Sequence, residues 1–420
     1  MKRVLFDLGE TLFMTSAVTY KALSDTLEEF SLLPLDGASL QAKVGYTDKE
    51  ICMAYLPENV DLCSFHKAYL RNELAAVASV GKMGSDIVEM LTDLAAAGFL
   101  LYVITDRSDK YLKTVLRDMK IESFFAGSIC KKTEAARIRA VSELLETDDL
   151  AVFVGDMPSD ILFSAKIHRP SIAVYYGFGE AEELSGATYV AENPDDVVNK
   201  VIQIDAYHSV MQELIINRQN RIIGINGVDV SGKTFFTSNL KKYLDTKEIP
   251  SVIIHLDDYR NPFAKRYHGE DDMEAYYYNG FNYKKLISEV LEPLSENGSL
   301  DTIICCLDFE ADRYDIERHY KVDSDTILLI EGVLMFREPL IDYIEGRIFL
   351  QTDFDEVIFR ATRRDQSDQR QEIVDLYNDK LIPAQKKYIR QYCPAEISDI
   401  IIENTYYRRP EVVIKKREII

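Results

Sequence analysis

Cysteine is scarce in this chain and is never arranged for metal binding. Six cysteines (Cys52, Cys63, Cys130, Cys305, Cys306, Cys393) are spread over 420 residues with no paired C-x-x-C clusters. That distribution argues against a zinc site or a disulfide framework, and it suits a reducing, cytoplasmic setting. Positive charge is also in deficit: 49 Lys and Arg face 70 Asp and Glu, for a net charge of −21. A general nucleic-acid binder needs a basic surface to meet phosphates, so nucleic acid is disfavoured as a partner, a local basic groove aside. Long apolar runs are missing too. The chain is expected to carry neither a membrane span nor a signal peptide, because its start runs directly into a strand bearing Asp7 and Glu10. Internal repeats and low-complexity tracts are absent from the sequence.

What is present is alternation. A chain of 420 residues is too long for one ordinary domain. Apolar runs that read as buried strands recur at Val4–Phe6, Leu100–Ile104, Ala151–Val154, Ile172–Val174, Ile222–Ile225, Val252–Leu256, Ile327–Ile330 and Arg347–Leu350, with helical patterns between them. Strand–helix alternation implies parallel sheets covered on both faces. The polar, helix-like stretch from Ala206 to Asn220 precedes the second series of strands. The expected layout is therefore residues 1–205, a linker over 206–220, and 221–420. Residues 15–82 read as several helices inserted after the first strand.

The run from Gly227 to Thr234 fits G-x-x-x-x-G-K-[ST]. A buried strand precedes it and a helix follows, which is the setting a phosphate-cradling loop requires. Gly227, Asp229, Ser231 and Gly232 form the loop, whose N–H groups can point at phosphate oxygens. Lys233 supplies a point charge to the β- and γ-phosphates, and the Thr234 hydroxyl can ligate Mg²⁺. ATP and Mg²⁺ are the implied cofactors.

In the first half, three strand ends carry chemistry: Phe6–Leu12, Val103–Asp106 and Val154–Asp160, with Lys132 between the last two. Open parallel sheets place their sites beyond the carboxyl ends of strands. A carboxylate there can attack phosphorus, an acidic pair can hold Mg²⁺, and a hydroxyl with a lysine can bind phosphoryl oxygens. In these motifs the chain resembles the haloacid-dehalogenase-like hydrolases, over residues 1 to about 205. The resemblance implies a capped, Rossmannoid domain with Asp7 as nucleophile. It implies Thr105 and Lys132 (with Lys131 as rival) as phosphoryl contacts, and Asp156 and Asp160 as partners of Asp7 around Mg²⁺. Tyr175–Gly179 and Glu182–Leu184 are similar to phosphoglycolate phosphatases. One position departs: Gly9 stands where phosphatases of this kind carry a general-acid Asp, and Glu10 is one residue further on. Loss of that acid costs about 10²–10⁴-fold in rate, so impaired turnover is expected.

In the second half, a strand ends in Asp257-Asp258-Tyr259, and another ends in Glu331-Gly332. A carboxylate at the first position can take the proton of an attacking hydroxyl, and one at the second suits a Mg²⁺ shell. Arg363 and Arg364 sit on a helical pattern, where arginines can neutralise phosphoryl charge. With the phosphate loop, these residues and Tyr276–Tyr283 resemble the uridine kinase and phosphoribulokinase family, over about 220 to 405. The resemblance implies Asp257 as base, Glu331 as metal-side acid, Arg363 and Arg364 in a lid, and Tyr259, Phe281 and Asn282 on the substrate side. Asn282 stands where uridine kinases usually have a ribose-binding Asp. Leu307–Asp312 also lacks the Tyr and His that read a pyrimidine.

The expected fold is thus α/β, with two doubly wound parallel-sheet domains. The expected protein is a cytoplasmic enzyme that phosphorylates a hydroxyl of a nucleoside or similar small molecule, joined to a Mg²⁺-dependent phosphatase-like domain. A polynucleotide kinase-phosphatase joins the same two fold types, but the acidity and the Asp257-Asp258-Tyr259 run count against it. A non-catalytic reading makes the first half a sensor of a phosphorylated metabolite, and Gly9 favours that reading.

Overall fold

The structure, a computed structural model, describes residues 1–32, 47–56, 60–364 and 370–414. It divides into two compact units, Met1–Val201 and Ile202–Ile420. The division falls within the helix Pro194–Val210. Helical backbone continues through Met211–Asn217, and Tyr207 packs edge-on against Phe236 with ring centroids 5.2 Å apart.

In the first unit the described strands are β1 (Lys2–Asp7), β2 (Leu100–Thr105), β3 (Phe125–Cys130), β4 (Leu150–Gly155), β5 (Ser171–Val174) and β6 (Tyr189–Ala191). They form one sheet in the order β3-β2-β1-β4-β5-β6, and every pairing is parallel. Leu5, Val103, Val152 and Val154 are fully enclosed, as expected for strands covered on both faces. The first strand is central, so Asp7 emerges between the ends of β2 and β4. Thr15–Glu29, Asp48–Tyr55 and Leu62–Val80 are the described helices of the insertion. Residues 33–46 and 57–59 of the expected cap lie outside the described residues.

In the second unit, β7 (Ile222–Gly227), β8 (Ser251–His255), β11 (Ile327–Gly332), β12 (Gly346–Gln351), β13 (Ile400–Glu403) and β14 (Glu411–Ile414) form a sheet ordered β14-β13-β12-β7-β11-β8. Only the β13–β14 pairing is antiparallel among its described strands. A separate antiparallel hairpin joins β9 (Leu300–Asp308) to β10 (Arg313–Val322). Leu256, read in the sequence as the end of a strand, instead opens a short 3₁₀ turn, Leu256–Tyr259. That turn is what separates the directions of Asp257 and Asp258. No helix of the described residues is long and apolar enough to cross a membrane.

Candidate active sites

Two sites lie at the carboxyl ends of the parallel strands of the two sheets. In the first, Asp7, Asp156 and Asp160 each bring a carboxylate oxygen within 4.8 Å of the others. The end of β1 places Asp7, and the turn after β4 places Asp156. Pro158 opens the helix Pro158–Lys166, whose first turn carries Asp160; its carboxylate accepts from Met157 N at 3.1 Å. Three acids so close must repel one another. Burial, and then Asp160 and Asp156, push the Asp7 carboxyl well above its usual range. Burial, and then Asp156, lift Asp160 to about 7. Such a set of hard oxygen donors, held at a cost in repulsion, fits a divalent cation such as Mg²⁺.

Several neighbours of this cluster were given no role by the sequence. Thr11 Oγ1 donates to Asp156 Oδ1 at 2.9 Å, and Phe178 N donates to Asp156 Oδ2 at 2.9 Å. Arg137 lines a water-sized cavity of about 10 Å³ together with Asp7, Asp160, Ile104, Phe153 and Phe163. Its charge works to lower the Asp160 carboxyl. Thr11 lies within the first quoted motif. Arg137 lies one turn into the helix Glu134–Leu144, which Thr133 caps through Ala136 N, so its spacing after Lys132 was the available signal.

The remaining expected residues divide. Thr105 is buried at the end of β2, and its Oγ1 accepts from Arg107 N at 3.2 Å. Lys132 is exposed, and its Nζ lies 3.7 Å from Oδ2 of Asp48, on the first turn of Asp48–Tyr55. His66 Nε2 lies 3.2 Å from the same oxygen. Glu10 is turned to the start of the helix Thr15–Glu29, where its Oε1 accepts from Thr15 Oγ1 (3.1 Å) and Ser16 N (2.9 Å). The carboxylate nearest in sequence to the missing acid is thus engaged as a helix cap.

In the second site, Val230 (φ 49°) and Gly232 (φ 91°) take left-handed backbone that curls the loop into the helix Lys233–Thr246. Lys233 Nζ donates to Val228 O at 2.7 Å and lies 3.5 Å from Ser231 Oγ, so the cation is folded over its own loop. Thr234 Oγ1 donates to Glu331 Oε1 at 3.0 Å, and His255 Nδ1 faces the same oxygen at 2.6 Å. Burial works to raise the Glu331 carboxyl, but His255, Lys233 and Thr234 outweigh it and hold it low. Asp229 exchanges hydrogen bonds with Gln385, through its N (3.0 Å) and its Oδ2 (2.5 Å).

Asp257 and Asp258 diverge. Asp258 is buried, and the Arg318 guanidinium grips it at 2.9 and 3.1 Å. Asp257 is 55% exposed and meets Arg260 Nε at 3.1 Å. Its charge acts on Asp229 in the phosphate loop. Of the expected substrate-side residues, Tyr259 is fully buried. Phe281 is 4% exposed, and the Arg260 guanidinium lies 5.7 Å from its ring centroid. Asn282 Oδ1 caps the helix Tyr283–Leu286 through Lys285 N at 3.2 Å. Arg363 and Arg364 end the helix Phe354–Arg364, both exposed.

An acid cluster at the strand ends of a sheet that carries a helical insertion, and a phosphate loop facing a strand-end carboxylate, define a phosphohydrolase-type unit followed by a kinase-type unit. The comparisons agree. Residues 4–174 match the haloacid dehalogenase-like hydrolase family model. Residues 222–407 match the phosphoribulokinase/uridine kinase family, to which the chain belongs through its second half. The first half is similar to a phosphoglycolate phosphatase of Agrobacterium fabrum, 26% identical over 41% of this chain and 80% of that protein. The second half is similar to a uridine kinase of Chlamydia pneumoniae, 30% identical over 44% of this chain and 82% of that protein. It is also similar to nicotinamide riboside kinase 2 of Mus musculus, 29% identical over 40% of this chain and 80% of that protein.

Proposed function

We propose that this chain is a bifunctional enzyme of small-molecule phosphate chemistry. Its second half would transfer the γ-phosphoryl of ATP to a hydroxyl of a nucleoside or similar sugar-bearing acceptor. The observation that carries this reading is the contrast at the end of β8: Asp258 is buried and locked to Arg318, while Asp257 is 55% exposed beside Arg260 and electrostatically linked to the phosphate loop. In the transfer, the acceptor oxygen bonds to the γ-phosphorus as the bond to the bridging oxygen of ADP breaks. The acceptor's proton passes to Asp257 Oδ. Lys233 would leave Val228 O for the phosphates, and the loop N–H groups would hold them. Thr234 and Glu331, two hard oxygen donors 3.0 Å apart, fit a Mg²⁺ that would supply charge neutralisation at the phosphates.

The first half would hydrolyse a small phosphomonoester. Asp7 Oδ attacks phosphorus, the ester oxygen leaves, and water then cleaves the aspartyl-phosphate. Thr105 and Lys132 would contact the phosphoryl oxygens, while Asp156 and Asp160 would share with Asp7 a Mg²⁺ that lowers charge repulsion. Gly9 offers no proton to the leaving group and Glu10 is engaged elsewhere, so turnover would be slow and would favour good leaving groups. A cytoplasmic location suits ATP and free thiols. A metabolite-sensing role for the first half is favoured by that same missing acid. The test is hydrolysis of p-nitrophenyl phosphate against a sugar phosphate, by the full chain and by Asp7→Asn. Faster cleavage of the aryl ester, abolished in Asp7→Asn, supports the hydrolase; no cleavage of either ester supports the sensor.

A further inference from the structure

We infer that Arg260 sets the charge of the acceptor the kinase site accepts: neutral, carbonyl-bearing rings are taken, and cationic pyridinium nucleosides are rejected. The inference rests on the kinase reading above. The Arg260 guanidinium carbon lies 5.7 Å from the ring centroid of Phe281 and 5.7 Å from that of Phe309. Its Nε lies 3.1 Å from Asp257 Oδ1, and its side chain is 24% exposed. Its backbone is fixed as well, by a bridge to Phe281 and by Tyr314 OH donating to Arg260 O at 2.7 Å. A row of rings continues behind Phe281, with Tyr276 at 6.4 Å and Tyr283 at 6.1 Å. The Tyr276 hydroxyl is buried without a hydrogen-bond partner.

If Asp257 receives the acceptor's proton, the acceptor hydroxyl stands at Asp257. The rest of the acceptor must then pass the group that touches both Asp257 and the aromatic faces, which is Arg260. An aromatic face attracts a cation through its quadrupole. Here the guanidinium already lies against both rings, so a pyridinium ring drawn to them would meet a like charge. A neutral ring can stack on the planar guanidinium, and its carbonyl can accept an N–H. Two nearby acids temper the repulsion. Asp229 is tied to Gln385, and its carboxyl is pushed upward chiefly by burial. Asp257 compensates Arg260 in the resting site, but it loses that charge as it takes the proton. The penalty on a cationic acceptor therefore grows toward the transition state, and it belongs in kcat more than in KM.

The test compares uridine with nicotinamide riboside as acceptors for the full chain with Mg²⁺-ATP, and repeats the comparison with Arg260→Met and Arg260→Lys. The parent should favour uridine in kcat/KM, with most of the difference in kcat. Arg260→Met, which keeps length and loses charge, should shift the ratio toward nicotinamide riboside by on the order of tenfold. Arg260→Lys should keep a ratio near the parent's. A parent that prefers nicotinamide riboside overturns the inference whatever the variants do. So does an unchanged ratio in Arg260→Met, while uridine phosphorylation by the parent leaves the kinase reading standing. If the parent phosphorylates neither acceptor, the nucleoside reading itself fails and the inference falls with it.

Discussion

Arg318 Nε lies 2.9 Å from Asp258 Oδ2, and this pair divides the labour of two adjacent aspartates. Asp258 anchors the β9–β10 hairpin to the end of β8, and Asp257 is left facing the phosphate loop. Asp257→Asn is expected to lower turnover by at least about 10²-fold with ATP affinity little changed, because a base acts in the transition state. Asp258→Asn is expected to cost about 1–3 kcal/mol of stability, with turnover in the surviving folded protein within a few-fold of the parent. Chemical denaturation alongside steady-state kinetics separates the two. If Asp258→Asn abolishes turnover in a stable protein, the assignments are reversed.

Gly9 can accept the side chain that phosphatases of this kind carry. A Cβ there would meet Thr15 at 3.5 Å and Asp7 Oδ2 at 3.8 Å, which is ordinary contact. Gly9→Asp is therefore expected to raise hydrolysis of sugar phosphates by about 10²-fold or more, and of aryl phosphates by less. A well-folded Gly9→Asp with unchanged rates on both esters would show that proton donation is not what limits this site.

Lys132 is paired with Asp48 of the helical insertion rather than standing free for a phosphate. Asp48→Asn should release it and lower KM for a phosphomonoester, by up to about fivefold, since a long pair with an exposed lysine is worth about 0–1 kcal/mol. A raised KM would mean that Asp48 positions Lys132 and does not compete for it.

Much of both sites was legible because their residues are local in sequence to strand ends. Asp7, Thr105 and Asp156 follow apolar runs whose burial forces a parallel sheet, and such a sheet gathers its strand ends at one edge. The phosphate loop was legible for the same reason. What escaped was tertiary. Nothing near Asp258 announces Arg318, 60 residues later on the other arm of a hairpin. The β9 strand alternates exposed positions (Asp301, Ile303, Cys305) with half-buried or buried ones, and β3 carries a glycine and no apolar run, so neither stood out as a buried strand. Glu10 stands one residue beyond the missing acid, and sequence did not show where its side chain goes; the helix start at Thr15 and Ser16 claims its carboxylate. Arg137 had only helical spacing from Lys132 to mark it.

Arg3 and Asp149, both buried, pair where β1 begins and β4 is about to begin. Burial works to raise the Asp149 carboxyl, but hydrogen bonds from the chain's amino group, Glu146 N and Arg3 outweigh it and hold it at about 2, against an ordinary 3.8. A depressed carboxylate adds stability above its unfolded pKa and loses it as pH falls through its folded one. Its contribution should thus be intact above about pH 4 and fade toward pH 2. Asp149→Asn should cost about 3 kcal/mol at neutral pH and flatten that part of the acid limb. Identical acid limbs in urea titrations of parent and variant would contradict this.

The most direct measurement follows ADP and free phosphate together in the full chain given Mg²⁺-ATP and uridine, with Lys233→Ala alongside. The parent should form ADP and a nucleoside monophosphate in equal amounts. Lys233→Ala should form neither product at a measurable rate, while still cleaving p-nitrophenyl phosphate as the parent does, because the lysine's charge acts only on the transferring group. Equal ADP formation by Lys233→Ala and the parent, or ADP formed with no phosphorylated acceptor among uridine and related nucleosides, would contradict the assignment of the second half as a nucleoside-type kinase.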